Sequence, residues 1–336
     1  MRVHWTISSA LACIVAVTLW HHFSTGSPLA GWHVPVLAAT IASEPIQPIA
    51  EDLVLDQRKV RLGESLFNDP ALSGNNSVSC ATCHSLTGGG GDGRSSSIGI
   101  HGTSGPINAP TVFNSGGNFR QFWDGRAESL EDQIDGPVQA AGEMGSKWPD
   151  VIGKLSKSLN YVGAFGALYP DGIQVRNIKD AIATFERSLT TPNSRFDRYL
   201  RGDQNALTAD EIQGYQIFKS YGCVSCHQGI GVGGNMFQTF GVMADYFADR
   251  GHITKADFGR FNVTGDPADR YVFKVPSLRN VELTAPYFHD GSVNTLEGAV
   301  QVMGKYQLGR HLSGEETAAL VKFLKTLTGE YKGRHL

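Results

Sequence analysis

Apolar residues recur at helical spacing in four separated stretches of the chain. Val60, Leu62, Leu66 and Phe67 make an apolar face that stops at Asn68-Asp69-Pro70, because a proline pushes the residue before it out of helical backbone. Ile212, Tyr215, Ile217 and Phe218 predict a second helix over residues 210–219. Ile178, Ile182, Phe185 and Leu189 predict a third before Thr191-Pro192. A fourth holds Leu320, Phe323, Leu324 and Leu327, after Ser313-Gly314-Glu315-Glu316 at capping-box spacing. Gly63-Glu64-Ser65-Leu66-Phe67 and Gly214-Tyr215-Gln216-Ile217-Phe218 occupy equivalent places, so the pattern reads as one plan used twice.

Outside the repeat, two stretches stand apart. Residues 24–50, with Pro28, Pro35, Pro45 and Pro48, read as a linker. The apolar segment Trp5 to Trp20 follows Arg2, precedes His21-His22, and has the length of a signal-peptide core or a minimal membrane anchor. Residues 1–23 are therefore a signal peptide or an anchor, either of which exports the chain. Ala10-Leu11-Ala12-Cys13 is a poor lipoprotein signal, since apolar sequence continues past the cysteine. No clean small-x-small cleavage site follows the segment closely, and Thr40-Ile41-Ala42 lies far downstream; cleaved signal and retained anchor both stay open, with cleavage favoured.

The chain has 336 residues, 41% of them apolar, enough for about two domains. A formal charge of −3 leaves no basic stripe to neutralise phosphates, so nucleic acid is not a partner. The 40 glycines, many in runs such as Gly88 to Gly91, suit irregular backbone wrapped around a flat cofactor.

That cofactor is indicated by the cysteines. Four of the five stand in Cys80-Ala81-Thr82-Cys83-His84 and Cys223-Val224-Ser225-Cys226-His227. In an exported protein C-x-x-C-H is the signature of covalent haem c: two thiols one helical turn apart reach the porphyrin vinyls, and the adjacent imidazole is aimed at the iron. A zinc site would place its CxxC pairs roughly 12 to 20 residues apart, not more than a hundred. A redox dithiol would need neither a histidine after each pair nor a second copy. Each half then reads helix, haem motif, long loop, closing helix. The fold expected is mainly α with little β structure: two class I cytochrome c-like domains, residues 51–200 and 201–336, each wrapping one covalently attached haem c, with the boundary near 195–208.

What fills the iron's other axial position decides the chemistry: a thioether raises the potential, a second imidazole lowers it, and an open face admits peroxide. Met236, Met243 and Met303 are candidates in the second half, and Met303, just before the closing helix, is favoured by position. In the first half the candidates are His101, in the glycine-rich run Ile98-Gly99-Ile100-His101-Gly102, and Met144. Such asymmetric ligation would give one high-potential centre and one lower-potential, switchable one.

Longer motifs carry a family resemblance. Cys80 to His84, Gly89-Gly90-Gly91-Asp92-Gly93, Asn108-Ala109-Pro110-Thr111-Val112-Phe113-Asn114, Gln121-Phe122-Trp123-Asp124-Gly125-Arg126-Ala127, Gly136-Pro137 and Glu143-Met144 resemble the bacterial dihaem cytochrome c peroxidases. So do Phe273 to Val281, Ala285-Pro286-Tyr287-Phe288-His289-Asp290-Gly291 and Met303-Gly304 in the second half. The match runs from about residue 50 to the end. Ile107 departs from it, standing where an arginine is usual.

The resemblance implies a peroxidatic, low-potential haem on Cys80, Cys83 and His84, with His101 as a distal ligand that leaves on activation. It implies a high-potential electron-entry haem on Cys223, Cys226 and His227 with Met303 as its other axial ligand. Trp123 would lie between the two, and Glu143 with Gln133 would line the peroxide pocket. Asn108 and the backbone carbonyls of Thr284 and Pro286 would hold a calcium ion between the domains. His289 would bond a haem propionate or serve the fold alone. The function implied is a periplasmic cytochrome c peroxidase that reduces hydrogen peroxide to water, its electrons coming from a small cytochrome c or cupredoxin. Family habit adds a homodimer. Two rivals remain: a relative that oxidises protein residues to mature a quinone cofactor, which would use a tyrosine such as Tyr306 in place of Met303, and a dihaem electron carrier without catalysis.

Overall fold

A computed structural model describes residues 44–336; the apolar segment Trp5–Trp20, Cys13 and the signal or anchor reading lie outside them. Among the described residues the chain is mainly helical, with little strand, and no helix is long and apolar enough to cross a membrane. In chain order the helices are α1 (Gln57–Asn68), α2 (Cys80–Cys83), α3 (Leu130–Gln139), α4 (Trp148–Leu155), α5 (Leu159–Leu168), α6 (Val175–Ser188), α7 (Arg195–Leu200), α8 (Ala209–Ser220), α9 (Tyr246–Arg250), α10 (Phe261–Thr264), α11 (Leu296–Val302) and α12 (Gly314–Lys325). Short 3-10 turns link several of them. Strand β1 (Phe237–Thr239) pairs antiparallel with β2 (Val272–Lys274), Phe237 opposite Lys274. Strands β3 (Glu330–Tyr331) and β4 (Arg334–His335) form a second small pair.

The four helices expected from periodicity are α1, α6, α8 and α12, and they pack as two matching pairs. Helix α1 crosses α6 at Gly63, where a Cβ would overlap the Ala181 carbonyl and come within 2.7 Å of Phe185 Cβ. Helix α8 crosses α12 at Gly214, where a Cβ would overlap the Ala319 carbonyl and come within 3.0 Å of Phe323 Cβ. Beside each crossing an aromatic pair closes the contact, Phe67 on Phe185 at 5.2 Å and Phe218 on Phe323 at 5.1 Å between ring centroids. Only a residue without a side chain lets backbones approach so closely. Ser313 caps α12 by accepting from the Glu316 N–H, the expected capping box.

The loops repeat as well. Asn114 and Asn280 both adopt φ 59°, Phe122 and Phe288 φ 68° and 70°, Gly125 and Gly291 φ 66° and 60°. A left-handed phenylalanine is a steric outlier, so its recurrence at matched places marks one loop conformation built twice. The two loops also bond across to each other. The Asn108 N–H donates to the His289 carbonyl and the Lys274 N–H to the Trp123 carbonyl, each at 2.8 Å.

Two differences from the sequence reading concern the edges of the halves. Residues 44–50, read as linker, are a packed strap: Ile46 and Ile49 are buried, and the Gln47 carbonyl accepts from Arg279 Nη2 at 2.9 Å. Ile46 belongs to the core of the second half. The segment 195–208, read as a boundary, holds α7, whose Phe196 and Leu200 belong to that same core with Tyr215, Phe323 and Leu327. Here too lies the buried ion pair Arg279–Asp197, 2.8 Å apart, with Arg279 also bonded to Ile230 O. Its bonds on every side offset the cost of removing two charges from water.

Candidate haem sites

In the first half, α2 is the single turn that carries Cys80 and Cys83, so the two thiols stand one turn apart. His84 follows as its C-cap, and its Nδ1 lies 3.3 Å from the Gly90 carbonyl. A carbonyl can only accept, so Nδ1 carries the proton and Nε2 is the free lone pair, the arrangement typical of a ligating histidine. Burial pushes the His84 pKa down, keeping it neutral. Burial, helped by the nearby Glu186 carboxylate, pushes the Cys80 thiol up to about 12.

The second half places Cys223 and Cys226 around a 3-10 turn entered through left-handed Gly222. His227 is half-buried with its Nδ1 enclosed; desolvation pushes its pKa down to about 4, with the Val232 and Pro276 carbonyls pulling the other way. Those carbonyls lie near Nδ1 without the alignment of a hydrogen bond. Burial also raises the Cys223 thiol, to about 11.

A largely apolar cavity opens beside the second motif. Cys223, Cys226, His227 and Met303 all line it, with Leu320 and Leu324 of α12 and Val300 of α11. Met303 starts a wide helical turn at the end of α11. Of the three methionines considered, Met243 is 59% exposed, and Met236 is not among the cavity's lining residues. Tyr306, the alternative ligand, lies outside the lining too; its hydroxyl donates to Asp249 Oδ2 at 2.9 Å. Met144 is likewise a core residue, buried among Leu72, Ile134 and Val138.

The turn that carries His101 packs against the backbone of the Glu143 segment. His101 is exposed and left-handed, φ 60° and ψ 16°, at the tip of a turn closed by Gly99 N–H to Thr103 O. That turn rests on the Glu143 segment: the Ile100 N–H donates to Glu143 O at 2.8 Å, and a Cβ at Gly99 would overlap the Gly142 carbonyl. Glu143 is exposed by surface area, yet burial pushes its carboxyl above the ordinary range, with Arg126 pulling it down, so it stands in a concavity. Burial raises the Cys83 thiol, and the Asp92 and Glu143 charges add to it. Gln133 is half-buried on α3.

Between the motifs, Trp123 Nε1 donates to the Asn108 carbonyl at 3.0 Å, and its ring meets His289 edge-on at 6.4 Å. Asn108, Thr284 and Pro286 line the same cavity as Trp123. Asn108 Nδ2 donates to Arg94 O at 2.7 Å, which leaves Oδ1 as the available ligand atom.

Sequence reasoning missed a buried cluster behind this wall. His289 Nε2 lies 2.7 Å from Asp257 Oδ1, and Arg250 pairs with both Asp257 and Asp290. Burial raises the Asp257 carboxyl, but Arg250, the Thr254 N–H and His289 outweigh it and bring it to about 2. Arg250 stands between the two carboxylates and pairs with both. Its members lie far apart in sequence with no periodic signal; only Asp290, beside His289, hinted at it.

The donor set fits two covalently held porphyrins. The four motif thiols are free, desolvation lowers the pKa of both following imidazoles, and Met303 lines the same largely apolar cavity as His227.

The comparisons agree. The family model described as di-haem cytochrome c peroxidase matches residues 57–205. The chain is 52% identical over 290 residues to cytochrome c peroxidase Ccp of Escherichia coli, covering 86% of this chain and 62% of that one, so it spans under two thirds of that relative's length. It is 47% identical over 291 residues to cytochrome c551 peroxidase of Nitrosomonas europaea, covering 86% of this chain and 85% of the relative. Among solved structures, a MauG-like protein associated with microbial copper homeostasis superposes with a TM-score of 0.74 at 31% identity, covering 90% of this chain and 96% of that one. The chain therefore belongs to the di-haem cytochrome c peroxidase family.

Proposed function

We propose that this chain is an exported cytochrome c peroxidase that reduces hydrogen peroxide to water at the first motif, with electrons entering at the second from a small cytochrome c or cupredoxin. The observation that carries the reading is the unequal surroundings of the two motifs. The first has the Glu143 carboxyl near Cys83, on a segment that the His101 turn rests against; the second has Met303 lining one largely apolar cavity with Cys223, Cys226 and His227. Residues 51–200 and 201–336 act as two cytochrome c-like domains, each holding one haem. When bound, the haems supply the redox-active iron, one storing an electron and the other taking peroxide.

The protein's own groups do the rest. His84, its Nδ1 proton held by Gly90, presents Nε2 as a neutral ligand, and His227 does so by burial. His101, exposed at the tip of its turn, would be the removable ligand of the first haem. Glu143, in its carboxylate form, takes the proton from one peroxide oxygen and returns it to the other as the O–O bond breaks, with Gln133 beside it. Two further protons and two electrons complete H2O2 + 2 H+ + 2 e− → 2 H2O. Trp123 bridges the gap between the sites, and calcium on Asn108 Oδ1 and the Thr284 and Pro286 carbonyls ties the halves together.

Glu143→Gln tests the reading: general acid–base catalysis contributes about 10²–10⁴-fold, so peroxide turnover falls by at least about 10²-fold while both haems stay attached. In the parent, turnover drops as pH falls through the raised Glu143 pKa, because the base is then protonated. Undiminished turnover in the variant would remove Glu143 from the mechanism. A protein that ignores peroxide in every redox state would be the electron carrier instead.

A further inference from the structure

The cavity beside the second motif has one lysine in its lining. Lys274, at the end of β2, is 7% exposed and makes no ion pair and no side-chain hydrogen bond among the described residues. No aspartate, glutamate or arginine lines that cavity. A buried ammonium without a partner is costly, and here burial alone pulls its pKa down to about 8. Yet this is where a porphyrin bearing two propionates would sit.

The repeat adds a second argument. The Lys274 N–H donates to Trp123 O as the Asn108 N–H donates to His289 O, so Lys274 occupies the place in the second half that Asn108 occupies in the first. Where one half offers an oxygen ligand able to recruit a cation, the other carries its own.

We infer that the Lys274 ammonium binds a propionate carboxylate of the porphyrin in the second cavity and holds that centre's reduction potential up. The ligand class is a porphyrin carboxylate, and the inference rests on the two-haem reading above. A positive charge close to the iron favours its less positive, reduced state; without it, the propionate's own charge acts unopposed and favours the oxidised one.

The test compares the holoprotein with Lys274→Met, Lys274→Gln and Lys274→Arg. Covalent haem per chain is counted first by mass spectrometry. Fewer than two in the parent sinks the two-haem reading, whatever the lysine does. With two present, a redox titration is followed at the methionine-ligated centre by its visible charge-transfer band. Lys274→Met is expected to shift the reduction equilibrium at least tenfold toward the oxidised form, 59 mV for one electron. Lys274→Arg should stay within threefold of the parent. Should Lys274→Met fail to fold, Lys274→Gln replaces it in the same titration, with the same tenfold shift expected. Two attached haems with an equilibrium within threefold of the parent in the uncharged variant would overturn the inference, even if its melting temperature fell, because that outcome would make Lys274 a packing residue only.

Discussion

The two halves share a backbone and differ in what they hang on it. At matched crossings Gly63 faces Ala181 and Phe185, and Gly214 faces Ala319 and Phe323, so one residue further along the closing helices Glu186 in the first half corresponds to Leu324 in the second. Likewise Phe113 corresponds to Arg279, Trp123 to His289 and Asn108 to Lys274. The shared positions are those that shape the wrapping of a flat group. The unshared ones carry protons, charge or a polarizable ring, so chemistry has diverged only where the frame tolerates it.

The largest effect is expected at the crossings, where the two halves are most alike. Gly63→Ala and Gly214→Ala each put a methyl where a backbone carbonyl already sits, and overpacking of this kind costs about 1–3 kcal/mol or more. Each variant is expected to lose about 3 kcal/mol in denaturant unfolding of the holoprotein, and the two losses should be similar. A loss in one half alone would mean that the matched geometry is not matched in energy.

That frame was legible in the sequence to the extent that it is local. The amphipathic faces of α1, α6, α8 and α12, the capping box at Ser313 and both C-x-x-C-H runs depend on neighbours within a few residues. Gly63 and Gly214 stood in the internal repeat, but nothing in the sequence showed Ala181 and Ala319 pressed against them. Phe122 and Phe288 defeat propensity altogether, since their left-handed backbone is imposed by the loop around them. The strap from residue 44 was missed because its prolines outweighed Ile46 and Ile49. Of the candidate site, motifs and axial residues could be named from spacing and resemblance. The isolation of Lys274 and Glu186 could not, because burial of a charged residue is a property of what folds over it.

Glu186, where the halves differ, should give an intermediate effect of opposite sign. It is 6% exposed, its Oε2 has no hydrogen-bond partner, and burial with the neighbouring Glu131 charge pushes its pKa up to about 8. Arg187, which would pull it back, is engaged by Glu131, its Nη2 donating to both carboxylate oxygens at 2.7 and 2.8 Å. The folded protein therefore keeps a proton on Glu186 that the unfolded chain releases near the ordinary glutamate pKa of about 4.3. Between that value and about 8 the folded state binds more protons, so this group's contribution to stability falls as pH rises through the window. Glu186→Leu, which copies Leu324, removes an unsatisfied buried polar atom worth about 1–3 kcal/mol. The variant should be more stable at pH 8 by about that amount and lose less stability between pH 5 and 8. Unchanged denaturation midpoints at both pH values would show that Glu186 has a partner after all.

The smallest effect comes from a hydroxyl that both halves use in the same way. Thr111 Oγ1 accepts from the Phe113 N–H at 3.0 Å and donates to Gly89 O at 2.7 Å; Ser277 Oγ accepts from the Arg279 N–H at 3.1 Å and donates to Gly231 O at 2.8 Å. Each ties the loop after its haem motif to the segment that closes over it. Thr111→Val and Ser277→Ala delete two such bonds apiece, at about 0.5–1.5 kcal/mol each. Ser277→Ala should cost less, because Arg279 stays anchored by Asp197, Ile230 O and Gln47 O while Phe113 has no comparable polar tether. Paired unfolding curves of the two holoproteins measure the difference. A larger loss at Ser277 would show that Arg279 depends on the turn beneath it, and that the second half's buried ion pair does not hold the loop on its own.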